Sequence, residues 1–170
     1  MAKIQIDEGD LLMAFESGDG MTQWFLDRET GAVIGLGDDI LLDDEDDEDD
    51  QDWEREEKAR RRAIYADVDG EGVRYLGIES LSSHEGFRIM EDFAASQVDR
   101  RVREALFDAL DRRRPFRSFK DALEGFRGVS EAWYSYHEAR LREEALAWLR
   151  SEGIDAELTS PVPPPAAENP

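Results

Sequence analysis

The chain has 170 residues, 40% of them apolar and 37% charged, with a net charge of −21 and no cysteine. That length carries one ordinary domain with a modest core. The missing cysteines exclude a disulfide scaffold, a thiolate metal site and a cysteine nucleophile, and the negative charge repels phosphate backbones and anionic membranes.

Lysine occurs only at Lys3, Lys58 and Lys120, and all other basic residues are arginine. That skew fits a GC-rich genome or a high-salt cytoplasm. The first residues lack a basic start followed by an apolar run, so no signal peptide is visible. No apolar run reaches membrane-spanning length. The expectation is a cytoplasmic protein that does not enter a membrane.

In chain order, residues 7–17 read as a short helix. Asp7 caps it, Leu11, Leu12 and Phe15 share a face, and Gly18 stops it. Two apolar runs then flank Glu29, Thr30 and Gly31. Gly31 supplies the positive φ of a tight turn, which predicts a β-hairpin. The block 38–52 is so densely acidic that self-repulsion predicts a solvated linker or loop. From Trp53 a helix follows. Glu54–Lys58, Glu56–Arg60 and Glu57–Arg61 support it at i,i+4, and Trp53, Ala63 and Ile64 are expected to pack. After Gly70 and Gly72, residues 73–78 alternate like a strand.

Four helices are expected next. Ser82 and Glu85 form a capping box for the first, with Phe87, Met90, Phe93 and Ala94 inward. Asp99 caps the second, which turns Val102, Ala105, Leu106, Ala109 and Leu110 inward. Pro115 opens the third, where Phe116, Phe119, Leu123 and Phe126 keep helical spacing. Ser130 caps the fourth, with a stripe of Trp133, His137, Leu141, Ala145, Trp148 and Leu149. Gly153 stands at its C-cap. The proline-rich end reads as tail.

The resulting fold class is α+β: a small antiparallel hairpin or three-stranded sheet, then a predominantly helical C-terminal half. The layout is an N-terminal helix and hairpin at 1–37, an acidic linker at 38–52, a helix, strand and four-helix region of the same domain at 53–153, and a disordered tail at 154–170.

Several pieces in this order are distinctive. They are DLLMAFES, the hairpin W-F-L-D-x-E-T-G-x-V-I, the run R-Y-L-G-I-E-S-L-S-S-x-E-G-F-x-x-M-E-D-F, then F-R-S-F-K-D-A-L, W-Y-x-Y and A-x-W-L. Together, from Asp10 to Gly153, the chain resembles a bacterial protein family of unknown function that is known by a number rather than a name. That family commonly carries Ile-Pro-Pro where this chain has Gly77, Ile78, Glu79 and Ser80. The resemblance implies no activity, cofactor or catalytic residue.

Few candidate sites survive a chemical test. Asp67, Asp69, Glu71 and Gly72 begin like an EF-hand loop, but position 12 is Ile78 where a bidentate glutamate is needed. A polar turn before a strand is the stronger reading. The acidic run has no fixed geometry for a cation. His84 and His137 lack metal-ligand spacing. His137 lies on an apolar stripe, where packing is the commoner role. No serine sits in a nucleophile elbow and no phosphate-binding glycine motif occurs. No cofactor is expected, and an enzyme is the last-ranked reading.

The charge asymmetry is more informative. Basic residues dominate from Arg100 to Arg127, and Arg112, Arg113, Arg114, Arg117 and Lys120 cluster around Pro115 and Phe116. Arginine beside aromatics can hold phosphates and stack on bases. Against this stands a solvated helix face that offsets the acidic remainder. The leading expectation is a non-enzymatic binding or regulatory module, with a protein partner ahead of nucleic acid. The alternatives are nucleic-acid binding through the face from Arg100 to Arg127, modulated by the acidic run, and an acidic mimic of nucleic acid that occupies a basic protein.

Overall fold

The computed structural model describes residues 3–16, 20–37 and 48–160. The centre of the acidic linker at 38–47, the stop at Gly18 and the proline-rich end at 161–170 lie outside these residues. Among the described residues, strands β1 (Ile4–Asp7), β2 (Thr22–Asp27), β3 (Val33–Gly37), β4 (Tyr75–Ile78) and β5 (Ala156–Thr159) combine with six helices. These are α1 (Glu8–Glu16), α2 (Asp52–Asp69), α3 (Ser83–Ser96), α4 (Arg100–Leu110), α5 (Pro115–Glu124) and α6 (Val129–Ser151). The class is α+β, as the sequence predicts. Where the sequence reading groups 53–153 together, the chain divides at Leu81. One compact unit is Met1–Ser80 with Trp148–Pro170, and the other is Leu81–Ala147.

The first unit is built on the hairpin. The antiparallel order is β3-β2-β4, so Tyr75–Ile78, the later part of the expected strand 73–78, supplies a third strand to the sheet. Gly31 has φ +79° and donates to the Asp27 carbonyl at 2.8 Å, closing the turn between β2 and β3. On one face Phe25, Ile34 and Leu36 bury Ile64 of α2. On the other, Leu26 and Ile78 are buried. α1 contacts β3 and buries Leu11, Leu12, Ala14 and Phe15. The Asp7 carboxylate accepts from the Asp10 amide at 2.9 Å, the cap the sequence predicts for α1.

Two strands of this unit escape the sequence reading. β1 and β5 pair in parallel, Ile4 opposite Ala156 through Asp7 opposite Thr159. Ala156–Thr159 is therefore strand, not disordered tail. Each strand is four residues long and its partner lies at the other end of the chain, so neither carries a periodic signal of its own.

In α2 the packing differs from expectation. Trp53 is 65% exposed and Ala63 faces solvent, and only Ile64 of the three is buried. The buried positions beside it are Lys58 and Arg61. Lys58 reaches Asp50 at 2.6 Å, and Arg61 donates to the Gly37 carbonyl at 3.0 Å. The helix starts one residue before Trp53, because Gln51 and Glu54 make its capping box.

The second unit is helical. The Ser82–Glu85 box is formed, with Glu85 N to Ser82 Oγ at 3.1 Å and Ser82 N to Glu85 Oε2 at 2.8 Å. Asp99 caps α4 through the Arg101 amide at 2.9 Å. The core gathers Ile89, Met90, Phe93, Ala94, Val102, Leu106, Leu110, Phe119, Leu123 and Trp133. Phe93, Phe119 and Trp133 meet edge to face, with centroids 4.9–6.3 Å apart. Three expectations are corrected here. Phe116 is 39% exposed. α5 ends at Glu124, so Phe126 packs on the core from beyond the helix. α6 starts at Val129, with Gly128 accepting from the Ala132 amide, so Ser130 is inside the helix rather than its cap.

Candidate functional site

The charge of this chain is unevenly divided. The second unit holds 12 basic and 13 acidic residues, and the remainder of the chain holds 9 and 29. The nine residues from Arg112 to Lys120 include five basic residues and no acidic one. Arg112, Arg113 and Arg114 occupy the link from α4 to α5, and Arg117 and Lys120 follow one above the other on α5. The tight exit from α4 fixes the start of this link, because the Arg112 amide bonds the Ala109 carbonyl at 3.2 Å. Pro115 fixes its end by setting φ for the first helical residue.

All five basic side chains are exposed. Among the described residues none of them makes an ion pair or a side-chain hydrogen bond. Neighbouring basic residues do: Arg100 pairs with Glu104 at 2.7 Å, and Arg103 donates to the Gln97 carbonyl at 3.1 Å. The two helix ends act oppositely on these cations. The C-terminus of α4 carries a partial negative charge that suits Arg112 and Arg113, whereas the partial positive charge at the start of α5 opposes Arg117.

Apolar surface adjoins it. Phe116 lies beside Gly86 of α3, so close that a Cβ on Gly86 would sit 3.4 Å from its ring. An open depression of about 490 Å³ is lined by Phe87, Glu91, Phe107, Asp108, Leu110 and Asp111. Phe107 is 40% exposed. The sequence reading picks out the basic residues but not this depression, whose acidic and aromatic members come from α3 and α4 and converge only in the fold.

The other sequence candidates fall to ordinary structural roles. The Asp67 carboxylate caps the backbone before β4, accepting from the Arg74 amide at 3.2 Å and the Tyr75 amide at 2.9 Å. It is thus committed to the polar turn. Among the described residues no group of acidic or histidine side chains could hold a metal ion. His137 stacks on Trp133, centroids 4.9 Å apart and planes 14° from parallel. His84 is exposed in the first turn of α3. Arg140 is tied to Asp92 at 2.9 Å and to the Tyr136 hydroxyl at 3.0 Å, and those hydrogen bonds raise its pKa further. Among the described residues no helix is long and apolar enough to cross a membrane.

The family model of an uncharacterised protein family, UPF0158, matches residues 1–167. A curated relative, the UPF0158 protein PA5073 of Pseudomonas aeruginosa strain PAO1, is 34% identical over 102 residues. The match covers 58% of this chain and 67% of the relative. No solved structure matches the chain.

Proposed function

The chain belongs to the uncharacterised protein family UPF0158, and from that premise we propose that it is a non-enzymatic, cytoplasmic protein-binding module whose working surface is the outer face of α3, α4 and the α4–α5 link. One observation carries the reading. Five exposed cations, free of ion pairs among the described residues, cluster on the α4–α5 link and α5, where exposed Phe107 and Phe116 add apolar area. Interfaces draw their affinity from such aromatic and arginine anchors. The test is affinity purification from the native host with nuclease treatment, for the unaltered chain and for Arg113→Glu/Arg117→Glu. Proteins that survive nuclease and are lost with the variant support the reading. Identical retention by both chains overturns it.

A second reading, nucleic-acid binding, is favoured by the charge division, because the acidic excess lies almost wholly in the other unit. It makes a distinct prediction. Binding to a short single strand would weaken with salt by a log–log slope of about −0.7 per phosphate engaged. It would strengthen when the acidic run 38–52 is deleted. Undetectable binding after that deletion removes this reading.

A further inference from the structure

The face that carries the free cations also carries their complement. The depression is lined by three carboxylates, Glu91, Asp108 and Asp111, and by Phe87, Phe107 and Leu110. All three carboxylates are exposed, and among the described residues none makes an ion pair or a side-chain hydrogen bond. Asp111 is followed directly by Arg112, and Phe116 rests on Gly86, the neighbour of Phe87. An acid-lined hollow thus adjoins, through the chain neighbours Asp111 and Arg112, a basic edge bearing a half-exposed phenylalanine. Within a single chain the two halves stay unpaired.

We propose that this surface pairs with a second copy of the chain about a twofold axis. Phe116 and the Arg112, Arg113 and Arg117 edge of each copy would seat against the carboxylates and Phe107 of the hollow on the other. A twofold interface must hold both a feature and its complement in one patch. A foreign partner needs only one of the two, so the presence of both selects a second copy as occupant. Aromatic anchors then fill a pocket while charge pairs fix the register. The opposing force is repulsion between two chains of net charge −21. That repulsion is screened beyond about 8 Å at physiological ionic strength, whereas contact pairs within about 4 Å are screened much less. The inference rests on the reading of this face as a protein-binding surface and names its partner.

Sedimentation of the full chain at tens of micromolar in physiological salt tests it. The expected mass is twice the 19.4 kDa of one chain. Phe107→Asp, the basic reversal Arg113→Asp/Arg117→Asp and the acidic reversal Asp108→Arg/Asp111→Arg should each sediment at the single-chain mass. All altered positions are exposed, and unchanged far-ultraviolet dichroism confirms that the variants fold. Mixing the two reversal variants restores complementary contacts and should restore the dimer. A monomeric unaltered chain, dimers that persist in the reversal variants, or a mixture that stays monomeric each overturns the second copy as occupant. If the unaltered chain is monomeric yet loses a retained host protein on Phe107→Asp, only the choice of occupant fails. If retention is also unchanged, the protein-binding reading fails with it.

Discussion

Arg74 grips Asp27 with two hydrogen bonds, Nε to Oδ1 at 3.2 Å and Nη2 to Oδ2 at 3.0 Å, joining the end of β2 to the start of β4. Asp27 is only 4% exposed and also accepts from the Glu29 amide at 2.9 Å, inside the hairpin turn. Burial pushes its carboxyl up. The Arg74 hydrogen bond, the Glu29 and Thr30 contacts and the Arg74 charge outweigh that, holding it below the ordinary 3.8. A lowered folded pKa gives stability that is fully present above the unfolded value and is lost as pH falls through the folded one. Asp27→Ala should cost about 1–3 kcal/mol at neutral pH, because several part-buried donors lose a charged acceptor at once. The difference between variant and parent should shrink in acid, as denaturant unfolding below pH 3.8 would read. A constant difference across that range would remove Asp27 as the source.

Gly31 and Gly72 separate two reasons for a glycine. Both have positive φ, +79° and +61°. At Gly72 a Cβ would meet nothing within 4 Å, so Gly72→Ala should cost only the left-handed backbone term, about 1–2 kcal/mol. At Gly31 a Cβ would fall 2.1 Å from the Gln5 carbonyl oxygen. Gly31→Ala adds a backbone clash to the same term and should drive β1 away from the turn. Thermal melting of the two variants should therefore differ clearly, with Gly31→Ala the less stable.

These cases mark what the sequence makes legible. Local signals survive: the Gly31 turn, the Ser82–Glu85 box, the Asp99 cap and the alternation that became β4 are all decided within a few residues. Non-local features do not. β1 and β5 lie some 150 residues apart and find each other only in the fold. The face of α2 is misread because helical spacing alone does not say that Lys58 and Arg61 point inward. Their long stems bury carbon while their charged ends reach Asp50 and Gly37. At the candidate site, the five cations are readable as a run. Their lack of ion partners and the acid-lined hollow near them are not, since both depend on which helices lie adjacent.

Lys58 is the sharpest of these surprises. Its side chain is 6% exposed and that of Asp50 13%, with 2.6 Å between Nζ and Oδ2. Removing Lys58 takes a charge partner away from the largely buried Asp50 carboxylate. Lys58→Ala should cost on the order of 3 kcal/mol, far above the 0–1 kcal/mol of a surface pair. Arg100→Ala, which breaks the exposed pair with Glu104, is the control and should be nearly silent. The Lys58 effect should also persist in high salt, because screening acts weakly on buried charges. A small loss that vanishes with salt would show that Lys58 behaves as a surface residue.

Phe116 and Phe119 stand three residues apart on α5 and should behave oppositely. Phe119 is fully buried, with its ring edge-on to Phe93 and Trp133. Truncating it opens a cavity in the core of the second unit, so Phe119→Ala should cost about 3–5 kcal/mol. Phe116 is 39% exposed and touches Gly86 from outside. Phe116→Ala should cost under about 1 kcal/mol of folding stability, since little apolar area changes environment. Its effect should appear in association instead, if the surface beside Arg112 and Arg117 is used for binding. Equal destabilisation by the two variants in urea unfolding would place Phe116 in the core. That result would strip the basic edge of the apolar anchor that an interface there requires.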